Sequence, residues 1–271
     1  MGADTITSIH NPRIKSLCAL YASSSERREK GLFPVEGKRE VCRCIESGYS
    51  PSSFFICPEI YGSGSALPPS EGADIFYVSG KVYERIAYRA GTEGVICVFR
   101  TPGQLGLDRI ETGGNPIILV LESIEKPGNI GAVLRTADAA GADAVIICDP
   151  VTDLFNPNII RASLGTVFSV PVALCSSTDA VKWLKSRRIS ILTAQLQDSS
   201  PYYDTDMHGP VAIVFGSEAN GLSPLWRENS DARIMIPMAG IADSLNISVS
   251  AAVLCYEAVR QRHASTCKPL D

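Results

Sequence analysis

The sequence has no continuous apolar run long enough to cross a bilayer as a helix. Its first residues, MGADTITSIHNPRIK, lack the hydrophobic core of a secretory signal. None of its nine cysteines forms a CxxC pair, and the tightest spacing is Cys42 to Cys44. The three histidines, His10, His208 and His263, do not cluster with them, so no metal site is expected. No internal repeat is present, and no GxGxxG fingerprint of a dinucleotide fold follows a candidate strand. What remains is a soluble, cytoplasmic globular protein with buried, reduced thiols, such as Cys148 within AVIICD. The 271 residues, 45% hydrophobic and 20% charged, suffice for one or two domains with a sizeable core.

The net charge of −4 argues against a wholly electrostatic nucleic-acid binder. The charge is uneven, however. Residues 1–44 hold eight Lys or Arg against five Asp or Glu, a net of +3, which leaves −7 for the rest. A basic N-terminal segment on an acidic body fits an RNA-docking arm, and it also fits an ordinary solvated helix face.

Pattern and punctuation divide the chain. YGSGSALPPSEGA (61–73) reads as a loop, TPGQLGLDRIETGGNP (101–116) as a domain boundary, and QDSSPYYDTDMHGP (197–210) as a polar loop. The first region reads as a helical arm, a helix over 38–48, strands at 53–58 and 75–79, a helix at 80–89 and a strand at 94–99. The second alternates regularly. Strands are expected at 116–122, 143–149, 170–175, 189–195, 209–216 and 232–238, and helices at 128–142, 159–169 and 178–188, the last capped by Thr178. Continuous apolar strands alternating with helices predict an α/β domain with a parallel sheet.

Ligands of such sheets bind beyond the carboxyl ends of the strands, and three loops there are unusual. In LESIEKPGNIGAVLRTADAAGA, Gly128 and Gly131 flank Asn129, and Arg135 follows about one turn into the expected helix. A cation there opposes the helix dipole, and a phosphate nearby would relieve it. Glycine in this loop also suits a plain turn. In IVFGSEANGLSP, small residues from Gly216 to Gly221 let a flat ligand approach the backbone, or form a turn in which Glu218 caps a helix near Ser223. In IPMAGIADSLNISVSAA, a helix is expected after the strand, with Asp243 or Ser244 as N-cap. Leu245, Val249, Ala252, Val253, Tyr256 and Val259 would form its core face.

Taken in order, PGNIGAVLRTADAAGADAVII, FGSEANGLS and IPMAGIADSLNISVSAAVLCYE resemble the three motifs of the SpoU/TrmH branch of the SPOUT RNA methyltransferases. ITSIHNPRIKSLCAL, RREKGLFPVEGKREV and EGVICVF are similar, more loosely, to that branch's substrate-binding domain. The resemblance implies an L30e-like RNA-binding domain over 1–103, a linker over 104–115 and a SPOUT domain over 116–271 with a C-terminal trefoil knot. It implies S-adenosylmethionine as cofactor, a homodimer, and methylation of a ribose 2′-hydroxyl in RNA, ribosomal RNA in preference to tRNA. By position, Gly216, Ile236 and Leu245 match cofactor contacts. Asn129, Arg135, Glu218, Ser244 and Asn246 match the catalytic positions. Ala219 stands where glycine is common in the family.

Methyl transfer to a ribose hydroxyl needs in-line positioning and removal of one proton. Arg135 is expected to grip phosphate or ribose oxygens. Arginine is a poor base, so it either assists deprotonation itself or holds a phosphate that does. Two rivals are a nucleotide-dependent dehydrogenase, which lacks its fingerprint here, and a non-catalytic RNA-binding protein, which would not need every polar motif position filled.

Overall fold

The computed structural model describes residues 5–62, 66, 68, 69, 71–88, 93–103 and 105–264. Cys267 and parts of the 61–73 loop and of the 80–89 helix lie outside them. The chain forms two compact units, one of Met1–Gly103 with Asp153–Ser169, the other of Gln104–Thr152 with Val170–Asp271. No helix among the described residues is long and apolar enough to cross a membrane.

The first unit opens with helices α1 (Pro12–Ala22) and α2 (Ser24–Lys30), capped by the side chains of Asn11 and Ser23. Then come β1 (Leu32–Glu36), α3 (Lys38–Glu46), β2 (Pro51–Ile56), α4 (Pro58–Tyr61), β3 (Asp74–Tyr77), α5 (Gly80–Ile86) and β4 (Val95–Arg100). The sheet order is β1-β4-β2-β3, antiparallel except for β2 beside β3. Strand β1 was not expected from its pattern, because Pro34 interrupts the run. It is an edge strand, where a missing N–H is tolerated. Phe33 stacks there on Phe155, with ring centroids 4.3 Å apart, so residues 153–169 belong to this unit's core.

The second unit runs β5 (Ile117–Glu122), α6 (Pro127–Ala140) and β6 (Ala144–Cys148). The chain then contributes α7 (Pro157–Ala162) and α8 (Thr166–Ser169) to the first unit. It returns with β7 (Val172–Cys175), α9 (Ser177–Ser186), β8 (Ser190–Ala194), β9 (Ser200–Pro201), β10 (Val211–Phe215), α10 (Pro224–Asn229), β11 (Ala232–Met235) and α11 (Ile247–Ala264). The single helix expected over 159–169 is broken, since Leu164 and Gly165 both adopt positive φ. The cap of α9 is Ser176, which accepts from Asp179 N, rather than Thr178.

All strand pairs of this unit are parallel, in the order β7-β6-β5-β10-β8-β11-β9. Strands β5, β6 and β10 are buried along their whole length, the reason for their uninterrupted apolar sequences. Cys44, Cys97 and Cys255 are buried, and burial pushes their thiols up, that of Cys255 to about 11.

Helix α11 packs against α6 and over β10 and β5. Its inward face is Ile247, Ala251, Leu254, Cys255 and Ala258. This corrects the expected core face: Val249 is 47% and Tyr256 49% exposed, and Leu245 precedes the helix. Small side chains face inward because they let the helix approach the sheet closely. Val249 and Tyr256 are left outside. At its far end Arg262 donates to the carbonyls of Asn115, Pro116, Met207 and Gly209, fixing the helix where β5 and β10 begin.

Candidate active site

The carboxyl ends of β8, β10 and β11 open into a cavity of about 370 Å³, within the usual range for a small-molecule pocket. Gly216, Ile236 and Leu245 line it, as do Glu218 and Ser244. Gly216 is required by geometry, since a Cβ there would overlap the carbonyl of Gly221. The loop folds back on itself, Gly221 N donating to Ser217 O at 2.9 Å and Asn220 N to Ser217 Oγ at 3.1 Å.

Beside the cavity the three loops meet at one carboxylate. Glu218 Oε1 accepts from Asn129 Nδ2 at 2.7 Å and from Asn246 Nδ2 at 3.4 Å, while Glu218 Oε2 pairs with Lys126. Asn246 Nδ2 also donates to Asn129 Oδ1 at 3.1 Å. The Lys126 ammonium, then the Asn129 amide, hold the Glu218 carboxyl below its ordinary pKa. Glu218 therefore does not cap the helix near Ser223.

Asn246 has a second task. Its Oδ1 accepts from Ser248 N at 2.9 Å and from Ser248 Oγ at 2.6 Å, making it the N-cap of α11. Asp243 and Ser244, the expected caps, lie in the loop before it, because the helix starts at Ile247. Ser248 is thereby explained as part of the cap.

Arg135 is placed differently from its expectation. With Pro127 at N1, it is the ninth residue of α6, too far along for the dipole at the helix start to act on it. It is exposed, it does not line the cavity, and it has no hydrogen bond or ion pair to any described residue. The cation at the start of α6 is Lys126, in the N-cap position, and its relieving anion is Glu218. Pattern reading passed over Lys126, although a charge immediately before Pro127 was the available signal.

Behind the cavity lies a buried anchor. Glu122, 6% exposed at the end of β5, accepts from Ser223 N at 2.8 Å and so ties down the end of the 216–222 loop. Ser177 Oγ sits between Asp149 Oδ2, at 2.5 Å, and Glu122 Oε1, at 3.3 Å, and accepts from Trp226 Nε1 at 3.1 Å. Two further lining residues, Gln195 and Arg227, each carry a buried polar atom. Arg227 Nε and Gln195 Oε1 are buried, and neither has a hydrogen-bond partner among the described residues.

Fold and site together are those of an α/β protein with an open cavity at the ends of a parallel sheet, beside a cluster of amides and opposed charges. Residues 116–256 match the SpoU rRNA Methylase family, and residues 11–97 match the MRM3-like substrate binding domain. The chain belongs to the SpoU rRNA methylase family. It is 30% identical over 269 residues to a 23S rRNA (uridine(2479)-2′-O)-methyltransferase of Streptomyces viridochromogenes, covering 96% of this chain and 93% of that one. A crystal structure of an RNA 2′-O ribose methyltransferase is similar at a TM-score of 0.82 and 36% identity, covering 96% of this chain and all of that one. An AdoMet-bound rRNA methyltransferase from Sinorhizobium meliloti is similar at 0.84 and 28%, covering 95% and 98%.

Proposed function

We propose that this protein methylates a ribose 2′-hydroxyl of ribosomal RNA, using S-adenosylmethionine bound in the cavity at the ends of β8, β10 and β11. The observation that carries the reading is the convergence of Asn129, Glu218 and Asn246, one from each motif loop, at the cavity mouth. The cavity also fits the cofactor: apolar side chains such as Ile236 and Leu245 suit an adenine, and Gln195 and Arg227 add polar side chains to the lining.

Bound there, S-adenosylmethionine supplies an electrophilic methyl group. Gly216, Ile236 and Leu245 hold it, and the Gly216 backbone can do so closely because no side chain intervenes. Asn129, Glu218, Ser244 and Asn246 orient the ribose so that its 2′-oxygen faces the cavity. Arg135, free of any described partner, grips an RNA phosphate. That phosphate would take the hydroxyl proton as the 2′-oxygen bonds to the methyl carbon, and the carbon–sulfur electron pair would leave with S-adenosylhomocysteine.

The first unit is the RNA-binding, L30e-like domain, with its basic start as part of the docking surface. The chain from β11 into α11 forms a trefoil knot around the cofactor. Its exposed apolar face, Val249 with Tyr256, is the contact of a homodimer. The eight described cysteines are all free, which suits work in the reducing cytoplasm. Arg135→Ala tests the catalytic assignment: it should keep S-adenosylmethionine affinity and lose methyl transfer. Near-normal turnover would sink it.

A further inference from the structure

The cavity holds one anionic and one cationic side chain, Glu218 and Arg227. Glu218 is occupied by Lys126, Asn129 and Asn246. Arg227 is not occupied. Its carbonyl accepts from Arg233 Nη2 at 3.2 Å and its amide caps back to Ser223 O at 3.4 Å, so its backbone is fixed. Its guanidinium makes no hydrogen bond or ion pair to any described residue, and Nε is buried. A buried donor on a charged group costs free energy unless it is matched, so the ligand is expected to bring an anion.

Gln195 presents the complement. Its Nε2 donates to Gln197 O at 2.8 Å, which turns Oε1 away from that carbonyl and leaves it buried and unmatched. An unmatched acceptor calls for a donor on the ligand. The cavity wall supplied by β11 and the chain after it is mostly apolar: Ile234, Ile236, Met238, Leu245 and Leu254. The end of β8 supplies Gln195 and Gln197, and α10 supplies Arg227.

S-adenosylmethionine carries one anionic group, its α-carboxylate, and beside it an ammonium donor. We infer that Arg227 and Gln195 grip this amino-acid end of the cofactor, the guanidinium taking the carboxylate and the Gln195 carbonyl accepting from the ammonium. The inference rests on the cavity being the cofactor site. It makes both residues binding residues that set the affinity and orientation of the methyl donor, while the backbone of the loops handles the adenosine.

Three probes separate the groups in equilibrium titrations of the full chain. S-adenosylhomocysteine carries both carboxylate and ammonium, decarboxylated S-adenosylmethionine only the ammonium, and 5′-methylthioadenosine neither. Arg227→Met should weaken S-adenosylhomocysteine roughly 10- to 100-fold, as expected for a charge-assisted pair. It should leave the other two probes unchanged, and their binding also reports that the variant is folded. Gln195→Leu should weaken the two ammonium-bearing probes and spare 5′-methylthioadenosine. Equal weakening of all three probes by either variant, or no weakening, overturns that residue's role. Ser250→Phe, which fills the cavity from α11, should abolish binding of all three. If it does not, the cofactor lies elsewhere and the cavity assignment falls together with the inference.

Discussion

Asn129 Nδ2 donates to Glu218 Oε1 at 2.7 Å across 89 residues of sequence, and Asn246 reaches both. The three loops thus form one polar cluster, with Glu218 as its shared acceptor. Glu218→Gln keeps an acceptor for Asn129 but removes the charge that holds Lys126. Methyl transfer should fall about 10²-fold through misplacement of the ribose, with S-adenosylhomocysteine affinity kept within a few-fold. Single-turnover kinetics beside equilibrium binding checks both halves.

The same cluster sets a pH dependence. Glu218 has a lowered folded pKa, caused first by Lys126 and then by Asn129. Its interactions are fully present above the ordinary glutamate pKa and are lost as the pH falls through the lowered folded value. Lys126→Met removes the largest cause, so the loss should move to higher pH. A carboxyl-carbon NMR titration of Glu218 in both proteins reads the shift directly, and identical titration curves would contradict it.

Gly216→Ala places a methyl group against the Gly221 carbonyl. The loop must open, at a cost of ~1–3 kcal/mol typical of overpacking. Cofactor affinity should fall sharply while the sheet stays folded, which ligand titration and circular dichroism together decide.

Much of this arrangement was legible in the sequence, and the exceptions share physical causes. The parallel sheet followed from apolar runs alternating with helices, because strands covered on both faces carry little else. Strand β1 was hidden by Pro34, which only an edge position makes acceptable. The inward face of α11 was misjudged because hydrophobicity favours Val249 and Tyr256, while close packing selects Ala251, Cys255 and Ala258. The cap at Asn246 was obscured by equally good capping residues at Asp243 and Ser244. Arg227 and Gln195 carried no motif, and only their unmatched buried atoms single them out. For Gln195, its place at the carboxyl end of a strand was a usable hint.

Glu122 gives a stability test away from the chemistry. Glu122→Ala strips the acceptor from Ser223 N and breaks the link to Ser177. Loss of a buried acceptor should cost ~1–3 kcal/mol, seen as a lower urea midpoint.

The exposed face of α11 predicts association. The 29.0 kDa chain should sediment as a dimer, and Val249→Glu, at a position 47% exposed in the single chain, should sediment as a monomer. An unchanged sedimentation coefficient would place the contact elsewhere.

The reaction itself is decided by incubation with methyl-labelled S-adenosylmethionine and separately purified ribosomal and transfer RNA, followed by mapping of the label. Label is expected on one ribose 2′-oxygen of ribosomal RNA, lost in Arg135→Ala. Label on a base, label confined to transfer RNA, or no transfer to ribosomal RNA by the folded protein would contradict it.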